Sequence, residues 1–307
     1  MKLPRGQRAL VRWFARNVAR KIVELSRLGD RDFARMVRWR IRHDRNPLLV
    51  VVADKLAVKG WTAARGVATA RLLHATTDPA TIPFDDLPPD CFIKATHGCS
   101  WNIRIIRGQA YLYRAGNDLV APDGSLLDGP AAERARLSRA ACVALCRKWL
   151  AAPFAPRQWV SRRIPPAIVV EETLVSADGG ELKDYRLYTF DGAVKAINVG
   201  SPGYRRRGEN IFLDAEWREI PLTRYQERLP DPRPPRPAAL PRMVEAAGRL
   251  GRGIDFVRVD LYDTTRGVVL GEMTVLPGGG RLCPTACRRF NTWLGAQWRP
   301  RAAQGAG

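Results

Sequence analysis

Two short runs near the C-terminal end constrain this chain most. Phe256-Val257-Arg258-Val259-Asp260-Leu261-Tyr262 alternates apolar and polar residues with the period of a half-buried strand, and Val268 to Val275 reads as a second strand that pairs with it one turn later. A period of two puts Arg258 and Asp260 on one face of the first strand, and Glu272 and Thr274 on one face of the second. Paired as neighbours, the strands bring two carboxylates together. Such a pair repels unless a divalent cation or an arginine lies between its members. Pro277-Gly278-Gly279-Gly280 follows directly, and its glycines predict a loop that lets the backbone approach a ligand closely.

Upstream, Lys183 to Phe190 alternates in the same way, reaches an Asp191-Gly192 turn and returns as Val194 to Val199, which predicts a hairpin. Ala167 to Glu171 reads as a buried strand ending in Glu171-Glu172-Thr173-Leu174. Asp30 to Arg42 has a helical pattern broken by His43-Asp44-Arg45-Asn46-Pro47, and the apolar run Pro47 to Ala53 suits a buried strand. Asp54-Lys55-Leu56-Ala57-Val58-Lys59 then reads into a helix through Ala70, followed by a strand-like Leu72 to Ala75. Cys91 to Lys94 predicts a short strand running into the small-residue loop around His97 and Gly98. A lysine at a strand end beside exposed loop amides suits nucleotide phosphates, because the ammonium is a point charge and the amides donate directionally. No GxxxxGK[ST] and no strand-following GxGxxG occurs, so neither of the two commonest nucleotide folds is supported. Leu229 to Pro241 holds six prolines and reads as an exposed irregular connection.

Composition narrows the function classes. At 307 residues and 46% hydrophobic content the chain can bury a substantial core, which excludes a disordered or fibrous protein. The net charge of +21 points to a polyanionic partner, although the bias of 43 arginines to eight lysines, beside heavy Ala, Gly and Pro use, also follows from genome composition. No apolar run approaches the roughly 18 residues that would span a bilayer. Six cysteines without a CxxC, and three histidines, make no persuasive zinc site and read as reduced thiols. The start lacks a compact apolar block with a small-residue cleavage site, so the expected compartment is cytoplasmic. Between Arg8 and Leu25, Leu10, Phe14, Val18 and Ile22 form one helical face and Arg8, Arg12, Arg16 and Arg20 another. Such a helix can lie on anionic lipid, which would place the protein peripherally at the inner membrane face.

Taken in order, Asp44-Arg45-Asn46-Pro47, Ala53-Asp54-Lys55, Lys94-Ala95-Thr96-His97-Gly98, Asp184-Tyr185-Arg186, Phe256 to Tyr262 and Gly271-Glu272-Met273-Thr274 resemble the TupA-like ATP-grasp family, named for teichuronopeptide biosynthesis. The resemblance implies an α+β ATP-grasp fold whose two lobes sandwich ATP, preceded by an N-terminal helical segment. Residues 1–45 would form that basic segment, 46–90 the N-terminal lobe, 91–300 the lobes with the metal and nucleotide site, and 301–307 a flexible tail. It further implies Lys55 and Lys94 on the phosphates with His97 and Gly98 in the loop beside them, adenine against Glu171, Glu172 and Leu174, and ribose near Asp178 or Glu181. Asp260 and Glu272 would hold Mg²⁺, with Thr274 where the superfamily usually has asparagine. Arg258 and Arg186 would stabilise the oxyanion as a carboxylate, activated by ATP as an acyl phosphate, is joined to an amine. The family's association with cell-surface polysaccharide points to an acidic saccharide or other carboxylate substrate and an amine donor, with no nucleic acid. The competing classes are a glycosyltransferase-like polysaccharide protein, which lacks a convincing DxD after a strand, and a non-enzymatic basic nucleic-acid binder, which leaves the paired carboxylates without a use.

Overall fold

A computed structural model describes residues 32–113, 136–200, 210–221, 229–281 and 288–300. The expected helix from Arg8 to Leu25, the arginines at 205–207, and Cys283 and Cys287 lie outside the described residues. Chain order gives helices α1 (Phe33–His43), α2 (Leu48–Ala53) and α3 (Ala57–Ala63), then strands β1 (Ala68–Thr69), β2 (Leu72–Thr76), β3 (Cys91–Ala95), β4 (Asn102–Ile106), β5 (Gln109–Tyr113) and β6 (Arg136–Leu137). Helices α4 (Arg139–Ala151) and α5 (Trp159–Arg163) precede β7 (Ile168–Glu172), β8 (Asp184–Phe190), β9 (Ala193–Gly200) and β10 (Phe212–Leu213). Helix α6 (Leu240–Gly251), β11 (Val257–Thr264), β12 (Gly267–Thr274) and α7 (Arg288–Ala296) complete the order.

The strands sort into two six-stranded sheets. One runs β1-β12-β11-β8-β9-β10, the other β2-β7-β3-β4-β5-β6, and only the β1 to β12 pairing is parallel. The chain passes from the first sheet to the second between β1 and β2, across Ala70 and Arg71, and returns between β7 and β8. The core face of the first sheet presents Leu187, Ile197, Val257, Val259 and Leu261 to Met243, Ala247 and Leu250 of α6. The second sheet packs Ile93, Ile103, Ile168 and Val170 on Cys142, Cys146 and Trp149 of α4. Burial raises the Cys142 thiol to about 11 and the Cys146 thiol to about 12, so both remain neutral thiols in the core.

The hairpin expected from Lys183 to Val199 forms as β8 and β9, and its turn has positive φ at both central residues, Asp191 at 46° and Gly192 at 85°. The run Pro47 to Ala53 is not the buried strand its composition suggested; it forms α2. Asp44 Oδ1 accepts from Asn46 N and Asn46 Oδ1 accepts from Leu48 N, each at 3.0 Å, and these two Asx turns start a helix. Only Leu49 and Val52, one helical step apart, are buried, while Val51 is exposed. The helix expected through Ala70 also ends sooner, at Ala63, because the chain turns at Gly66 (φ 63°) and enters β1. The proline-rich connection is irregular only up to Ala239, since Leu240 and Pro241 already form the first turn of α6, where proline's missing N–H costs nothing.

Helix α1 begins at Asp32, whose Oδ1 accepts from Arg35 N at 3.0 Å, and buries Phe33, Met36, Val37 and Arg40 along one face. Arg40 is fully buried. Its Nη1 donates to the carbonyls of Phe256 (2.8 Å) and Val275 (3.1 Å), its Nη2 donates to Asp255, and its Nε lies 3.2 Å from Asp44 Oδ2. Its guanidinium also stacks 4.4 Å from the Trp298 ring, whose Nε1 donates to Asp255 Oδ2 at 2.8 Å. The glycines after β12 serve this contact. Gly278, Gly279 and Gly280 have φ of 60°, 61° and 73°, and a Cβ on Gly280 would lie 2.6 Å from Arg38 Cγ. Gly280 thus closes on α1 and Gly279 on Gln158.

Removing one partner of a buried charge cluster leaves the other uncompensated and costs roughly 3–5 kcal/mol. Arg40→Met should therefore lower the unfolding free energy by about that amount in urea titration, and a loss within measurement error would show that the cluster is not holding the strand ends.

Candidate active site

The site begins with register. Asp260 pairs with Glu272 on one side and with Arg186 on the other, while Arg258 pairs with Thr274 and Arg186 with Asn198. The polar side chains of β11 and β12 expected from sequence to meet are thus brought together on one face. A β-bulge fixes this, because Asp260 opposes Glu272 but Leu261 opposes Leu270, leaving Gly271 as the extra residue. A Cβ at Gly271 would lie 2.5 Å from the Tyr262 ring and 3.3 Å from the Asp260 carbonyl, so only glycine fits there.

Arg258 is the counter-ion of this face. Its Nε and Nη2 donate to the two oxygens of Asp260 at 2.7 and 2.5 Å, and Nη2 also reaches Glu272 Oε1 and Thr274 Oγ1, each at 3.1 Å. Burial pushes the Asp260 carboxyl well above its ordinary value against the pull of Arg258, with Asp184 and Glu272 adding to the rise. Glu272, half-exposed, goes the other way: burial raises it, but Arg258 and Lys55 together hold it below the usual carboxylate range. Arg186 donates from Nε to Asp184 Oδ2 (2.7 Å) and from Nη1 to Asn198 Oδ1 (3.3 Å).

Lys94 comes from β3 of the second sheet, and Lys55 and Lys59 from the stretch that enters α3, whose Val58 packs in the core of the first. Lys55 Nζ donates to the Gly98 carbonyl at 2.5 Å, and its ammonium is lowered by burial and by Lys94 while Glu272 and Glu171 oppose that shift. Lys55 thus feels the carboxylate of the first sheet and the charges of the second at once. Lys94 Nζ donates to Glu171 Oε2 at 2.8 Å, and Lys59 Nζ takes Glu171 Oε1 at 2.5 Å and the Ala70 carbonyl at 2.7 Å. Glu171 stays ionised, because burial raises its carboxyl but Lys94 and Lys59 bring it below its ordinary value. Lys59 was given no part by the sequence reading. Its signal was the four-residue spacing from Lys55, which places both on one side where a helix begins.

The other residues singled out from sequence lie as follows. Gly98 must be glycine, since a Cβ would lie 2.5 Å from the Trp101 ring. His97 is buried and its Nε2 lies 3.2 and 3.3 Å from the carbonyls of Trp149 and Ala152, at the end of α4. Its ring is therefore engaged by a helix terminus and not turned to the loop it was expected to furnish. Glu172 Oε1 accepts from Arg71 N (2.8 Å) and from Arg266, tying the second sheet to the β11–β12 turn of the first. Leu174 lies in the connection to β8, which is bridged to Thr264 through Ser176. Glu181 lies further along it. Asp178 accepts from Ser176 Oγ (2.7 Å), Gly180 N (3.0 Å) and Lys183 Nζ (3.1 Å), which together lower its carboxyl to about 2.

Among the described residues no three His, Cys, Asp or Glu side chains converge as a metal cluster. The donors that do converge are the oxygens of Asp260, Glu272 and Thr274, and a hard divalent cation that keeps several water or phosphate ligands needs no more than this from a protein. The cation already lying on these oxygens, the Arg258 guanidinium, shows that the set accepts positive charge.

Residues 152–299 match the family described as TupA-like ATPgrasp. The match contains Glu171, Arg186, Arg258, Asp260 and Glu272, whereas Lys55, Lys59 and Lys94 lie before it and reach the site through the fold. No curated protein matches the chain. Among solved structures, it is similar to the D-alanine–D-alanine ligase of Bacillus anthracis complexed with ATP, at 12% identity over 82% of this chain and 65% of that one, with a TM-score of 0.44. It is also similar to the corresponding ligase of Helicobacter pylori (13% identity, 89% and 70% covered, TM-score 0.43). The ATP-grasp ligase PsnB, complexed with a phosphomimetic variant of its minimal precursor, Mg and ADP, shows 15% identity with 82% and 60% covered and a TM-score of 0.40. The chain thus spans 65% of the first of these structures and 60% of the last.

The Asp178 turn supplies a pH test. Its carboxyl titrates lower in the folded chain than its ordinary value of 3.8, so the contribution to stability is present above about pH 4 and lost as pH falls towards 2. Asp178→Asn should flatten the fall of the thermal midpoint between pH 4 and pH 2, and an unchanged profile would mean that the turn is not maintained in solution.

Proposed function

We propose that the chain is an ATP- and Mg²⁺-dependent ligase that activates a carboxylate as an acyl phosphate and joins it to an amine. The observation carrying this reading is geometric: Lys94 and Lys59 share Glu171, Lys55 donates to the Gly98 carbonyl of the loop that follows Lys94, and Asp260 stands opposite Glu272 in the β11–β12 ladder. Cations that suit a polyphosphate and carboxylates that suit a divalent ion come close at Lys55, on which Glu272 and Glu171 both act.

In this reading Lys55 and Lys94 offset the phosphate charge, the end of β7 from Glu171 to Leu174 takes adenine, and the segment holding Asp178 and Glu181 takes ribose. Mg²⁺, held by Asp260 and Glu272 with Thr274 beside them, would neutralise charge on the phosphates. A substrate carboxylate oxygen attacks the terminal phosphorus and the bond to the ADP oxygen breaks. An amine nitrogen then attacks the acyl carbon, the carbon–phosphate oxygen bond breaks, phosphate leaves, and the proton lost from nitrogen passes to solvent. In this reading Arg258 and Arg186 would stabilise the oxyanion of that second step. The arginine excess and the family's association favour a carboxylate on an acidic saccharide and a role in cell-surface polysaccharide synthesis.

Purified protein should release ADP only with Mg²⁺ and with a carboxylate and amine pair drawn from uronic acids and amino acids. Asp260→Asn and Glu272→Gln should each reduce turnover at least a hundredfold, about 2.7 kcal/mol in barrier, while circular dichroism stays unchanged. Undiminished turnover in either variant removes the metal role.

The arginine face at positions 8, 12, 16 and 20 supports peripheral attachment at the inner face of the membrane. Each basic residue near an anionic surface contributes on the order of 1 kcal/mol, and salt screens it. Deleting residues 1–28 should abolish co-sedimentation with anionic vesicles and leave ADP release intact; equal sedimentation of both forms would assign the segment to the folded body.

A further inference from the structure

We infer that Glu171 is a positioning residue, a built-in counter-anion that fixes Lys94 for nucleotide phosphate while Lys59 anchors Glu171 from behind. The inference rests on the reading of Lys94 given above and adds a component to it. Three ammonium groups, Lys55, Lys59 and Lys94, gather around one carboxylate, and without it their mutual repulsion would spread them. The two oxygens of Glu171 are divided between two lysines on different elements, Lys59 beside the first sheet's β1 and Lys94 on β3. With a side chain only 9% exposed, Glu171 has little access to solvent as an alternative partner.

The two lysines are not equivalent. Lys59 is also bonded to the Ala70 carbonyl, a backbone group that cannot move away without shifting the crossing between the sheets. Lys94 rests on Glu171 and, at 5.1 Å, on the Phe92 ring, and its side chain is the more exposed of the two, at 26% against 16%. An arriving triphosphate can therefore take Lys94 as a ligand, while Lys59 keeps the Glu171 carboxylate in place and charged. On β7, Glu171 pairs with Phe92, so Lys94 is its diagonal neighbour across the ladder, within reach of a long side chain. A glutamine at 171 keeps the shape and loses the charge that aims Lys94.

The test is a double-mutant cycle read by calorimetric titration of the folded protein with Mg²⁺ and β,γ-imido-ATP. Glu171→Gln should weaken binding at least fivefold. In a Lys94→Met background, Glu171→Gln should change affinity less than twofold, because the residue it acts through is gone. Glu171→Met, which keeps the volume and removes the charge, carries the same expected loss should the glutamine variant not fold. Equal binding by the parent and Glu171→Gln, or the same loss with and without Lys94, overturns the positioning role alone. A parent that binds no nucleotide overturns the reading of the site and this inference with it.

Discussion

A single buried guanidinium fixes where the two site-bearing strands begin and end. Arg40 donates to the carbonyl just before β11 and to the carbonyl just after β12, so one rigid planar group clamps the end of the antiparallel ladder nearest Asp260 and Glu272. Taking that charge out of water is costly, and burial does lower the Arg40 pKa, but Asp255 and Asp44 oppose the effect. Phe33, Phe256 and Trp298 close around the group as a set of edge and tilted ring contacts, which excludes water from it. Helix α1, which contributes nothing to the face with Asp260, is therefore a condition of its geometry.

What was legible in the sequence was mainly what has a short period. The strands β8 and β11 announce themselves by alternation and β9 and β12 as the strands that pair with them, and the meeting carboxylates of β11 and β12 could be anticipated together with the need for a cation or an arginine between them. Arg258 meets that need. The run Pro47 to Ala53 could not be settled in the same way, since seven consecutive residues that are mostly branched and apolar have no period. Two short side chains outside the run, those of Asp44 and Asn46, decide it by starting a helix. His97 misled for a related reason: the sequence shows that it follows a strand, but not that the end of α4, some fifty residues later, lies beside its ring. Glu171 was marked by sequence as part of a hinge, while the convergence of Lys59 and Lys94 on its carboxylate depends on a helix and two strands meeting.

The electrostatics of the site follow from a deliberate mismatch of charges. On one side Arg258 and Arg186 serve Asp260, Glu272 and Asp184; on the other, Lys59 and Lys94 share Glu171 while Lys55 sits close by on the Gly98 carbonyl. The first group is close to neutral in sum and the second is cationic, so the field across the gap runs in one direction. Low local dielectric strengthens such a field and lets it orient a polyanion before any hydrogen bond is made.

The passage of the chain between sheets has a mechanical consequence. Strands β1 and β2 belong to different sheets and are separated by only Ala70 and Arg71, so that crossing has almost no slack. The return crossing after β7 is longer but is stitched to the end of β11, where Ala177 N donates to Asp263 O and Thr265 N to Val175 O, each at 3.1 Å. Two bodies joined at two such points can turn about the line between them but cannot slide past each other. Glu172 lies beside that line, holding Arg71 at one crossing and Arg266 of the other sheet at once. The chain thus carries its own axle, and a rotation of one sheet about it would bear first on the Lys59–Glu171 pair, which joins a helix packed on the first sheet to a strand of the second.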